Sequence, residues 1–156
     1  MKHVAENIFI GFIFVFVILA GLYFAFSEPV SEISYHPIDV GGGAITVEDQ
    51  DQTDRVYLSA ELVAPGFITI HNSMSGAPAA IIGTSDFLEA GSYTDLEIVL
   101  REEMIPGYRY ITLLHADNGD EFYVTDDDLP VMVNEIVVRP DFVAIPEAVE
   151  ILPPTE

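Results

Sequence analysis

Between Leu113 and Val131 the chain reads "LLHADNGDEFYVTDDDLPV", an acidic stretch that follows an apolar segment and ends at a proline. Carboxylates this dense suggest a cation site. Calcium takes about six to eight oxygen ligands, commonly from aspartates one residue apart in a tight turn. Asp117, Asn118 and Asp120 have that spacing, Gly119 permits the bend, and Asp126 to Asp128 could close the site from the far side. The spacing is not that of an EF-hand loop, which needs alternating ligands, a central glycine and a later bidentate glutamate. The expectation is no cofactor, with a weak surface Ca²⁺ or Na⁺ site as the alternative this pattern admits. The simpler reading is a solvated acidic hairpin, because bulk water relieves the repulsion between consecutive aspartates without an ion.

The histidines offer a second chemistry. His71 and His115 each end an expected strand, so they could meet at one pole of a β-fold and bind Zn²⁺ or Cu²⁺ with a carboxylate such as Asp117. The competing reading has each imidazole bonded to a turn carbonyl. The chain has no cysteine, which removes thiolate zinc, iron–sulfur clusters, type 1 copper, disulfides and cysteine nucleophiles. Paired glycosidase carboxylates would need a cleft with aromatic platforms, and there is no tryptophan. Ser73, Ser75 and Ser85 sit in no G-x-S-x-G elbow, and Gly41 to Gly43 precede an expected strand rather than a helix. The expectation is no enzymatic activity and no catalytic residue.

Charge narrows the partners. Twenty-six acidic residues against five basic ones give a formal charge of -21. Such a surface repels phosphate backbones, so nucleic acid is an unsuitable partner. The N-terminal run "IFIGFIFVFVILAGLYFAF", residues 8–26, is uncharged and about as long as the ~20 residues a bilayer core requires. Lys2 and His3 precede it and Glu28 follows, which favours a cytoplasmic N-terminus and an extracytoplasmic remainder. The expected organisation is a short cytoplasmic segment (1–7), a single-pass transmembrane signal-anchor helix (8–26) and a Pro/Gly linker (27–43). An extracytoplasmic domain (44–140) and a Pro-rich tail (141–156) follow. The membrane is then one partner; an envelope protein or a second copy of the chain is the other.

The domain must position the acids and histidines. Segments 44–49, 55–62, 66–72, 79–85, 95–100, 108–115, 121–125 and 134–140 are rich in β-branched and aromatic residues with a period near two. Breaks at Pro65-Gly66, Ser75-Gly76, Ala90-Gly91, Pro106-Gly107 and Asn118-Gly119 separate them. This predicts an antiparallel β-sandwich of seven to eight strands, immunoglobulin-like or cupredoxin-like. Asn118-Gly119 is the expected tight hairpin, joining 108–115 to 121–125. Asp86–Gly91 is expected to form a single helical turn, and the tail to begin with one more strand.

"VEDQ" at Val47–Gln50, the "GF" strand ending in His at Gly66–His71, "GTSDFLEAG" at Gly83–Gly91 and the "LH-D-N-G" segment at Leu114–Gly119 occur in that order. Together they resemble a domain of unknown function recurrent in cell-surface and secreted proteins of halophilic archaea and some bacteria. The resemblance covers about Ala44 to Val138 and implies an extracytoplasmic β-sandwich, with no implied reaction. Here the acidic loop is shorter than in the family pattern.

Overall fold

In the computed structural model, residues 36–146 are described. The expected transmembrane helix, 8–26, lies outside them, as does most of the tail. Among the described residues no helix is long and apolar enough to cross a membrane; regular structure there is all β.

Eight strands follow in order: β1 (Ile38–Asp39), β2 (Gly43–Val47), β3 (Arg55–Leu62), β4 (Gly66–Met74), β5 (Ala77–Thr84), β6 (Gly91–Val99), β7 (Arg109–Ala116) and β8 (Asp141–Val143). They form two antiparallel four-stranded sheets, β1-β2-β3-β6 and β5-β4-β7-β8. The chain crosses between sheets after β3, β5 and β6. In β3, Val56, Leu58, Ala60 and Leu62 are buried while Arg55, Tyr57, Ser59 and Glu61 are not, as a strand with one face on a core requires. Those side chains share one apolar core with Ile45 of β2, Ile68 and Ile70 of β4, Tyr110 and Leu114 of β7 and Phe142 of β8. Val40, in the stretch read as linker, is fully buried in the same core.

β4 and β7 are buried on both faces. Phe67, Ile111 and Leu113 are covered although they lie outside the shared core. The segment from Asp117 to Pro140, here called the strap, turns back to this side of the second sheet, where its Tyr123 ring packs on Phe67. Its residues Leu129 and Val131 also exchange backbone bonds with Ala116 and Leu114 at the end of β7. Double burial explains why "YRYITLLH" shows no clear alternation in sequence.

Four expectations are corrected. Glu121–Thr125 and Asn134–Pro140 are not strands, and Asp86–Gly91 forms no helical turn. Instead Leu88 exchanges both backbone bonds with Gly66, and Ser85 receives the Ile68 amide on its hydroxyl at 3.0 Å. Asn118-Gly119 does not close a hairpin: β7 lies between β4 and β8. The two-residue hairpin is Ser75-Gly76, between β4 and β5, where both residues have positive φ (53° and 78°). That is the twist-matched geometry two strands need at a two-residue turn. The expected tail strand is present as β8.

Candidate functional site

The acidic residues of the strap are folded on themselves. Asp117 accepts the Gly119 amide on Oδ2 at 3.0 Å and the Glu121 amide on Oδ1 at 3.1 Å. Asn118 Oδ1 accepts from the Asp120 amide at 3.1 Å, and Asp120 Oδ1 from the Phe122 amide at 2.9 Å. Short polar side chains that bond nearby amides draw the backbone away from a strand ladder, which is why this stretch coils. Asp126 is exposed to solvent. Three of the residues suggested as cation ligands therefore already bind their own backbone. Among the described residues no group of three or more His, Asp or Glu side chains is arranged to hold a metal ion.

The third aspartate of the "DDD" run behaves differently from its neighbours. Asp128 is fully buried. Its Oδ1 accepts the Asn118 amide at 3.1 Å, its Oδ2 the Val124 amide at 2.6 Å, and its carbonyl receives the His115 ring at 2.8 Å. One residue thus pins both ends of the acidic turn to β7. Three consecutive aspartates gave no sign of which one turns inward.

His71 and His115 do come together, on the covered outer face of the second sheet. Their rings stack with centroids 6.4 Å apart and planes 12° from parallel. A carbonyl only accepts, so the 3.0 Å contact of His71 Nδ1 with the Ala79 carbonyl puts a proton on Nδ1. Nε2 then accepts from the Thr69 hydroxyl at 2.9 Å. His115 likewise carries its proton on Nδ1, facing Asp128, but its Nε2 is buried with no protein partner. Burial lowers the affinity of both rings for a proton, against the pull of the Ala79 and Asp128 carbonyls. The proximity of His71 lowers that of His115 further.

Tyr123, from the strap, meets His115 edge-on at 5.2 Å and Phe67 at 5.5 Å, while Phe87 closes on Phe67 at 5.8 Å. Burial raises the pKa of the Tyr123 phenol. Thr125 lies near enough to lower it, yet no protein group closes a hydrogen bond on the hydroxyl. Tyr123 and Thr69 are the site residues that sequence reasoning missed, while Asp128 was legible only as one of three aspartates available to a cation.

The first sheet carries a separate, acid-lined cleft of about 300 Å³, walled by Glu48, Asp49, Asp51, Asp95 and Tyr57. Asp95 adopts φ 54° at a bulge where β6 loses register with β3. Beside it Gln50 is buried and fully bonded: its amide donates to the Glu48 and Tyr57 carbonyls and accepts the Tyr57 amide. The backbone of Gln50 also exchanges bonds with Val143 and Ile145. The "VEDQ" and "GTSDFLEAG" signatures thus hold the architecture together, with Gln50 tying the two sheets and Ser85 and Leu88 fastening the start of β4.

The same span is found in other proteins. The chain is 37% identical over 98 residues to "Cell surface glycoprotein 2" and 34% identical over 93 residues to "Cell surface glycoprotein 1", both from Haloarcula hispanica. These alignments cover 62% and 58% of this chain and 10% of each relative, so the chain spans about a tenth of the relatives' length. No solved structure matches. Residues 43–143, which hold β2 to β8 and the strap, match the domain of unknown function DUF7282. The chain belongs to that family.

Proposed function

We propose that this chain is a single-pass, membrane-anchored surface protein whose β domain, a sandwich of immunoglobulin-like or cupredoxin-like kind, is a non-enzymatic interaction module facing away from the cytoplasm. The observation that carries this reading is the recurrence of the domain within two much longer cell surface glycoproteins. It is supported by the use of the buried polar side chains: Gln50, Ser85, Thr69 and Asp128 all bond the protein's own groups. The uncharged run at residues 8–26 supplies the anchor. Sugar attachment does not carry over simply from the relatives' names. None of Asn7, Asn72, Asn118 and Asn134 is followed two residues later by Ser or Thr, so N-linked glycosylation has no acceptor in this sequence.

Fractionation of cells expressing the full chain, combined with protease treatment of intact cells, tests the reading. The chain should sediment with membranes and lose its β domain to external protease; an intact chain in the soluble cytosol would refute it. A divalent-metal role for Asp117, Asn118, Asp120 and Asp126 is the competing reading. A melting temperature raised by Ca²⁺ and lowered again by chelator would favour it.

A further inference from the structure

Where the strap meets the second sheet, two rings in edge contact each carry a buried polar atom on which no hydrogen bond closes: His115 Nε2 and the Tyr123 hydroxyl. His115 is 4% exposed. Its Nδ1 proton is committed to the Asp128 carbonyl, so Nε2 presents a lone pair that needs a donor. The phenol has the Thr125 hydroxyl near it but closes no hydrogen bond there, so it too has a proton and lone pairs to offer. His71 cannot serve either atom, since both of its ring nitrogens are already bonded. A buried polar atom left unsatisfied is costly, and native proteins almost always answer it with a partner or an ordered water.

We propose that the His115–Tyr123 junction is a binding site for one internal water molecule, which donates to His115 Nε2, accepts from the Tyr123 hydroxyl and locks the acidic strap to the sheet. The chemistry selects this guest. It must donate and accept at once, be small enough to sit beside two rings already in edge contact, and carry no charge. A metal ion could take the Nε2 lone pair. Its other ligands would have to come from carboxylates nearby, and Asp128, the carboxylate at hand, already spends both oxygens on backbone amides. Thr84, whose hydroxyl is also buried without a partner, lies one strand further along, opposite Thr69 on β5.

Tyr123→Phe in the full chain, purified in detergent with chelator present, separates the outcomes. Removing a hydroxyl that has no partner is neutral or stabilising, whereas removing one that holds a bridging water is destabilising. The expected result is a melting temperature several degrees lower, together with water-to-aromatic cross-relaxation at the His115 and Tyr123 rings of the parent chain that is lost in the variant. An unchanged or raised melting temperature overturns the proposal, as does the absence of that cross-relaxation. A rise in the parent's melting temperature on adding Zn²⁺, abolished by His115→Gln, would place a metal on Nε2 and overturn it too.

Discussion

The His115 ring and the Asp128 carbonyl are joined by a 2.8 Å hydrogen bond, and through it the one fully buried carboxylate of the strap is fixed to β7. That carboxylate holds the amides of Asn118 and Val124, which flank the acidic turn. Asp128→Ala strips both acceptors at once and leaves two amides facing a void. The expected cost is about 2–4 kcal/mol, read from denaturant midpoints. Asp128→Asn keeps the shape and one acceptor but turns an NH₂ toward an amide, so it should cost less than the alanine variant. In both, amide exchange should rise first at Asn118 and Val124 and only later along the β4–β7 ladder. Equal loss of protection in both regions would show that the strap has no stability of its own.

The histidine pair gives the domain a pH-dependent stability of definite sign. Both rings are held neutral, with folded pKa values below the ordinary 6.5, first because they are buried. The unfolded chain therefore binds more protons than the folded one as pH drops below 6.5. Stability contributed by the neutral pair is complete above that value and declines as pH falls toward the folded pKa values. Asp128 and Tyr123 are the other titratable groups against His115, and Arg101 lies near Tyr123. Melting temperature should be flat above pH 7 and fall below 6.5, within the range above about pH 5 where most carboxylates stay ionised. His71→Gln and His115→Gln should each flatten the slope; an unaltered slope in both would assign the effect elsewhere.

What could be read in the sequence depended on how many faces each segment buries. Segment 55–62 coincides with β3 because one face meets the core and the other meets solvent, so period two survives intact. Segment 108–115 is legible as a strand without a clear face, since successive residues of β7 are buried on both of its sides. Glu121–Thr125 has strand-like residues, yet Asp117, Asn118 and Asp120 capture the neighbouring amides and coil it. Composition cannot show that competition, because it depends on side-chain oxygens reaching particular amides. Similarly, the meeting of His71 and His115 was legible as two strand-borne histidines. The partners that occupy three of their four ring nitrogens come from elements distant in the chain or hidden by rotamer.

Glycine is required where β4 begins. A Cβ on Gly66 would lie 2.1 Å from the His115 carbonyl oxygen, a backbone atom of the paired strand that cannot swing aside. Gly66→Ala must push β4 from β7 at the end of the ladder where Gly66 pairs with Ala116, at an expected cost of about 2–4 kcal/mol. Gly119 is the contrast: a Cβ there meets nothing, so Gly119→Ala pays only for its positive φ of 106°. Thermal melts of the two variants should differ by several degrees in that order.

The strap also stores strain that can be relieved. Val133 and Ile136 exchange both backbone bonds at 2.9 Å around Asn134 and Glu135, whose φ values are 49° and 67°. Asparagine tolerates this left-handed region; glutamate does so at a cost, and its carboxylate adds to an already large negative charge. Glu135→Gly installs the asparagine–glycine pair that such a turn prefers and removes that charge. Stability should rise by about 0.5–1 kcal/mol, the gain being limited by the extra freedom glycine has in the unfolded chain. Glu135→Gln separates the two contributions, since it removes the charge and keeps the strained backbone. If the glutamine variant matches the glycine variant in stability, charge rather than backbone conformation limits the turn.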